Sequence, residues 1–208
     1  MTTQDFVAIV VGILGGSALE AAAVLISVLG VALTIMRSMW CWVVNLIAVL
    51  IYAVLFFQYK LYGETILQIM FMGMNIYGFL TWMRGQQQQH EIRIQPLQPR
   101  RARQQILLAM SVGLIFGLVL KNFTDAAVPL LDAQLAALSV LGTYWTSQRY
   151  IATWVLWVTV DIVYVGMFAY KELYLTAVLY SLFVGLAAYG WWQWLQVKKQ
   201  QATHTATV

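Results

Sequence analysis

At 208 residues, with 62% hydrophobic and 10% charged side chains and a mean hydropathy of +0.75, the chain lies far from soluble domains, which are about one-quarter charged. A net charge of +4 is too small a surplus for a nucleic-acid surface, and the single cysteine, Cys41, excludes a disulfide framework or a cysteine metal site. The composition is that of a small polytopic membrane protein.

A helix needs about 20 mostly apolar residues to cross a bilayer, whereas barrel strands would alternate in polarity. Residues 6–16 are apolar but too short to cross, and they lack the positive flank of a secretory signal. They read as an interfacial segment (1–16), or as the start of one longer helix beginning near Phe6. Spans at 18–36, 40–58 and 64–83 follow, forming a first three-helix unit over 17–84. The polar stretch GQQQQHEIRIQPLQPRRAR at 85–103 reads as a linker. With a short span at 104–120 it makes a connecting region, 85–130. A second three-helix unit, 131–195, holds spans at 131–148, 150–170 and 173–195, and 196–208 is a polar tail. The expected fold is all-α and integral to the membrane: seven transmembrane helices, as two parallel three-helix bundles joined by a connecting helix.

Lys and Arg concentrate on the cytoplasmic side of membrane proteins. Placing the N-terminus outside puts Arg37, Arg84, Arg93, Arg100, Arg101, Arg103, Arg149, Lys198 and Lys199 inside, and leaves Lys60, Lys121 and Lys171 outside. His90 in the linker and His204 in the tail read as solvated.

The chain repeats itself. Sliding it along its own length brings SVLG at 27–30 onto SVLG at 139–142, and no gap is needed from Ser27 through Trp82. Thr34 then meets Thr146, Arg37 meets Arg149, Trp42 meets Trp154, Tyr52 meets Tyr164, Tyr77-Gly78 meets Tyr189-Gly190, and Trp82 meets Trp194. Shared apolar composition would not align the rare Trp, Tyr, Arg and Gly in register. Three spans per repeat is an odd number, so the extra span at 104–120 is what keeps both copies pointing the same way. Parallel repeats of this kind occur in transporters that bind solute at the repeat interface near the midplane.

Two near-copies bind an asymmetric solute best where they differ. In the second repeat Trp154, Trp157, Asp161, Tyr164 and Phe168 share one helical face; the matching face of the first carries Trp42, Asn45, Val49, Tyr52 and Phe56. The third spans add Gln68 and Asn75, matched by Tyr180 and Ala187. The expected substrate-binding set is therefore Trp42, Asn45, Tyr52, Gln68, Asn75, Trp154, Trp157, Asp161, Tyr164 and Tyr180. Asp161 sits mid-span, where a carboxylate costs about 2.5–3.5 kcal/mol, so it needs a wet cavity or a partner. Aromatic faces with few polar groups and no basic cluster suit a ring-bearing, hydroxylated solute that is neutral or singly cationic, and disfavour a phosphorylated one. Gly73 and Gly185 read as helix-packing positions, Trp191, Trp192 and Trp194 as an interfacial belt, and Arg37 and Arg149 as orientation and lipid-phosphate anchors. No catalytic pair, metal-ligand cluster or nucleotide loop is evident, which argues against an enzyme or a cofactor.

These residues resemble the PnuC family of nicotinamide riboside and vitamin transporters. The resemblance is carried by WCWVVNLIAVLIY at 40–52, KLYGETILQ at 60–68 and NIYGFLTW at 75–82, and by WVLWVTVDIVY at 154–164, LYLTAVLYSLF at 173–183 and AYGWWQW at 188–194. It implies an architecture similar to the SWEET sugar transporters and facilitated diffusion of nicotinamide riboside across a bacterial inner membrane. It also implies dependence on a cytoplasmic kinase that traps the product. Thiamine and riboflavin are the alternative cargoes, and proton coupling through Asp161 the alternative mechanism. Membrane lipids are expected partners, a homo-oligomer is compatible with the sequence, and nucleic acid is not expected.

Overall fold

The computed structural model describes residues 18–58, 62–89, 92–123, 128–170 and 174–206. Residues 1–16 lie outside them. Seven helices make up the described chain: α1 (Ala18–Ile35), α2 (Trp40–Gln58), α3 (Tyr62–Gln89), α4 (Pro99–Phe123), α5 (Pro129–Ser147), α6 (Ala152–Tyr170) and α7 (Tyr174–Ala206). Among the described residues the only strand-like pairing is a bridge between Gln95 and Tyr150. The fold is all-α.

Helices α2, α3, α4 and α6 are each long and apolar enough to cross a membrane. Three helices outrun the apolar runs that announce them. Helix α3 continues through the Gln-rich stretch to Gln89, and α7 continues to Ala206, because Gln and Lys are good helix formers once a helix is nucleated. Helix α4 begins at Pro99, at the position where a missing N–H costs nothing. Among the described residues the linker expected over 85–103 is thus helical at both ends, and 92–98 is non-helical.

Helix packing follows a ring. Helix α1 packs on α2, α2 on α3, α3 on α5, α5 on α6, α6 on α7, and α7 back on α1. Helix α4 stands outside this ring and packs on α5. That contact is close because Gly113 and Gly117, one turn apart and both buried, let the α5 backbone at Leu130, Ala133 and Gln134 approach. Gln134 then donates from Nε2 to the Met110 carbonyl at 2.9 Å. A Cβ at Gly117 would stand 3.0 Å from the Leu130 Cα, a backbone atom with little room to yield. Gly117→Val is therefore expected to destabilise the protein by about 1–3 kcal/mol, read as a lower thermal unfolding midpoint in detergent.

At one end of the ring four tryptophans form the core. Trp42 meets Trp82 edge-to-face at 5.4 Å, and Trp154 meets Trp194 in the same way at 5.4 Å. Two of them also tie the halves together. Trp82 Nε1 donates across to the Thr146 carbonyl at 3.2 Å, and Trp194 Nε1 to the Ile35 carbonyl at 3.1 Å. Trp194 is fully buried, whereas Trp191 and Trp192 are exposed. The belt expected at 191–194 is therefore corrected: Trp194 needs an acceptor for its indole N–H and finds it inside the bundle.

The turns after α1 and α5 are built alike. Arg37 and Arg149 both adopt the left-handed conformation, with φ of 58° and 61°. The following amides close the helix ends, Ser38 onto the Leu33 carbonyl at 2.9 Å and Tyr150 onto the Trp145 carbonyl at 3.0 Å. The guanidinium of Arg37 reaches the Ile92 carbonyl, and that of Arg149 packs against Gly85. Their part in the fold is to form turns and hold neighbouring backbone, beyond the anchoring expected from charge alone.

Candidate functional site

A cavity of about 270 Å³ lies inside the ring. Each of the six ring helices supplies wall residues, and α4 supplies none. Its volume is near the lower bound for small-molecule sites, roughly 300 Å³.

Helical spacing delivers the wall. On α2, Trp42, Asn45, Val49 and Tyr52 recur at three or four residues, and on α6 Trp154, Trp157 and Asp161 do the same; all seven face the cavity. Asn75 on α3 and Tyr180 on α7 complete the expected residues that line it. Asp161 is 6% exposed, halfway along α6. Among the described residues no Lys, Arg or His lines the wall.

Gln68 and Tyr164 do not line the cavity. Gln68 lies two helical turns from Asn75, about 10 Å along the axis, and Phe71 fills the wall in that direction. Tyr164 is displaced by its neighbour. The Tyr180 ring, which takes the place that Gln68 holds in the first half, lies 4.7 Å from the Tyr164 ring and occupies the wall in front of it. The divergence of Gln68 from Tyr180 thus explains why Tyr52 faces the cavity and Tyr164 does not.

Two glycine pairs make space for the wall. A Cβ at Gly30 would overlap the Asn45 amide, and one at Gly142 would stand 3.0 Å from the Trp157 ring. Likewise a Cβ at Gly78 would overlap the Trp42 ring, and one at Gly190 would come to 2.6 Å from that of Trp154. By contrast, nothing lies within 4 Å of a Cβ at Gly73 or Gly185. Those two are not the packing glycines; Gly78 and Gly190, five residues further on, are.

Hydrogen bonding gives the wall a definite polarity. The hydroxyls of Ser27, Thr34, Thr143 and Thr146 donate to carbonyls one turn back, at 2.8–3.0 Å. Asn75 Nδ2 donates to the Phe71 carbonyl at 2.9 Å. Each hydroxyl thus spends its one donor on the backbone and Asn75 one of its two N–H groups, which leaves mainly oxygen lone pairs on these side chains, as on Asp161. Among the described residues, the wall's buried donors without a partner are the indole N–H groups of Trp42 and Trp154.

A family model described as nicotinamide mononucleotide transporter matches residues 17–196. The chain belongs to this family. Curated relatives named nicotinamide riboside transporter PnuC, from Escherichia coli K12 and from Shigella flexneri, are each 24% identical, over 89% of this chain and 88% of the relative. A crystal structure titled as the vitamin B3 transporter PnuC superposes with a TM-score of 0.74 at 21% identity, covering 94% of this chain and 88% of that one, and so shares the fold. The resemblance to PnuC proteins drawn from the tryptophan, tyrosine and glycine spacing holds, and this family comprises multi-pass membrane transporters, not enzymes.

For this PnuC-family chain the sequence reading missed the contribution of α1 and α5. Val31 and Thr34 line the wall from α1, and Thr143 and Thr146 from α5. The signal was present in the repeat, since Thr34 aligns with Thr146. Phe71 and Phe183, another aligned pair, also face inward.

Proposed function

We propose that the chain carries nicotinamide riboside down its gradient, binding it in the central cavity between two parallel three-helix repeats, 17–84 and 131–195. The observation that carries this reading is a wall with three tryptophans, one carboxylate and no cationic side chain. In it the indole faces of Trp42, Trp154 and Trp157 stack on the planar ring, and Asp161 opposes the positive charge of the pyridinium. The lone pairs of Thr34, Thr146 and Asn75 accept from the ribose hydroxyls and the carboxamide NH2. The free N–H groups of Trp42 and Trp154 donate to the carboxamide oxygen or a ribose oxygen. Asn45, Tyr52 and Tyr180 frame the site.

The same polarity argues against the phosphorylated cargo that the family's description names. A phosphate is acceptor-rich and carries about −1.5 to −2 charges at neutral pH. Here it would meet mainly acceptor oxygens and the carboxylate of Asp161, with no cationic side chain among the described wall residues to balance its charge. Rocking of the two halves about the cavity provides alternating access, with the solute shifting populations only through its differential affinity for the two states. The charge bias places the N-terminus outside and the arginine-rich turns in the cytoplasm of a bacterial inner membrane, where a kinase traps the product.

Reconstituted liposomes test this. Labelled nicotinamide riboside is expected to enter without ATP or an imposed ion gradient, and the mononucleotide at less than a tenth of that rate. Equal uptake of the mononucleotide, or uptake only with a proton gradient, overturns the reading. Proton coupling is the second reading, favoured by the single carboxylate in an otherwise uncharged wall. It predicts that Asp161→Asn keeps its substrate affinity and loses only pH dependence. Thiamine, also a ring cation, belongs in the same assay as the competing cargo, with riboflavin.

A further inference from the structure

The non-helical segment between α3 and α4 belongs to a polar stretch that reads as a linker, yet Ile92 and Ile94 are 8% and 6% exposed. They share one buried cluster with Ile35, Cys41 and the four core tryptophans. Trp42 and Trp154 belong both to this cluster and to the cavity wall. The two isoleucines therefore close the arginine-turn end of the bundle, just beyond the cavity.

The fastening of this segment is uneven. Four hydrogen bonds hold it to the second half. Gln95 N donates to the Arg149 carbonyl at 2.9 Å, and Ile151 N returns to the Gln95 carbonyl at 3.1 Å. Ile94 N donates to Gln201 Oε1 at 3.2 Å, and Gln201 Nε2 to the Ile92 carbonyl at 3.4 Å. To the first half, among the described residues, it makes one bond, Arg37 Nη1 to the Ile92 carbonyl at 3.5 Å, at the limit of what counts as a hydrogen bond.

We propose that residues 92–95 form a gate that travels with the second half: Ile92 and Ile94 seal the cavity while seated in the tryptophan cluster, and the seal opens by parting from the first half at Arg37. This rests on the carrier reading, because only a transporter whose halves separate needs such a parting line. Parting from the first half breaks one long hydrogen bond, whereas parting from the second half breaks four, two of them the paired backbone bonds at Gln95.

Cys41 supplies a built-in reporter. It is the only cysteine of the chain, it lies in the first half, and it is 1% exposed within the sealed cluster. Arg37→Asn shortens the side chain out of reach of Ile92 while keeping a residue that tolerates the left-handed turn. Ile92→Ala weakens the apolar seat. In the full chain in liposomes, both variants are expected to raise the rate of Cys41 modification by N-ethylmaleimide at least tenfold. Hydrogen exchange at the amides of Gln95 and Ile151 is expected to stay as slow as in the parent chain. Unchanged Cys41 reactivity in both variants overturns the gate. So does faster labelling accompanied by fast exchange at Gln95 and Ile151, which means a loosened fold. Neither readout uses a substrate, so a failure of nicotinamide riboside uptake and a failure of the gate are separately visible.

Discussion

Asp161→Asn is expected to weaken binding of nicotinamide riboside about 30-fold while changing the affinity for its reduced, uncharged form by less than threefold. Asp161 is the wall's only carboxylate among the described residues, and the position that matches it on the other half is Val49, so no second carboxylate takes over. A pyridinium about 4 Å from a carboxylate gains roughly 4 kcal/mol at an effective dielectric of 20. Stripping both charges of water takes back a large part, of order half. The remaining 2 kcal/mol is about 30-fold in affinity. The reduced ring keeps the shape, the hydroxyls and the carboxamide and loses only the charge, so the pair of ligands isolates the coulombic contribution. Isothermal calorimetry on the purified protein reads both constants. Equal losses for the two ligands would mean that Asp161 acts as a hydrogen-bond acceptor and not as a counter-ion.

How much of this was legible beforehand depends on what sets each feature. Helix positions follow from apolar run length, a local property, and α2 coincides with the expected span at 40–58. The inward faces of α2 and α6 follow from helical periodicity, so Trp42, Asn45, Trp154, Trp157 and Asp161 reach the cavity together. What one helix cannot reveal is its neighbour. Tyr164 has the right spacing but stands behind Tyr180, a ring on another helix. Gly73 and Gly185 align between the halves as well as Gly78 and Gly190 do, yet only the latter pair meets a ring. The linker misled for a different reason: polar composition hid two isoleucines whose burial depends on a groove that exists only when both halves have assembled.

Those glycines give the sharpest contrast. On α7, Gly190→Ala is expected to destabilise the protein and Gly185→Ala to leave it unchanged or stabilise it, although the two sites are five residues apart on one helix. At 190 the added methyl would come to 2.6 Å from the Trp154 ring, which is pinned edge-to-face on Trp194 and fully buried. The ring must shift toward the cavity or the helices must separate, and overpacking of this kind costs about 1–3 kcal/mol. The shift also moves a cavity wall and its unpartnered indole N–H, so affinity for nicotinamide riboside is expected to fall at least about tenfold, equivalent to roughly 1.4 kcal/mol. At 185 the same methyl meets open space, and removing a glycine from a helix interior gains up to about 1 kcal/mol. The first half offers the matched pair, Gly78 against the Trp42 ring and Gly73 in open space. Thermal unfolding of all four variants in detergent should therefore give one sign at 78 and 190 and the other at 73 and 185. A split in which the two halves disagree would show that their sequence match does not extend to equivalent packing, and would remove the basis for treating the cavity as the meeting of two copies.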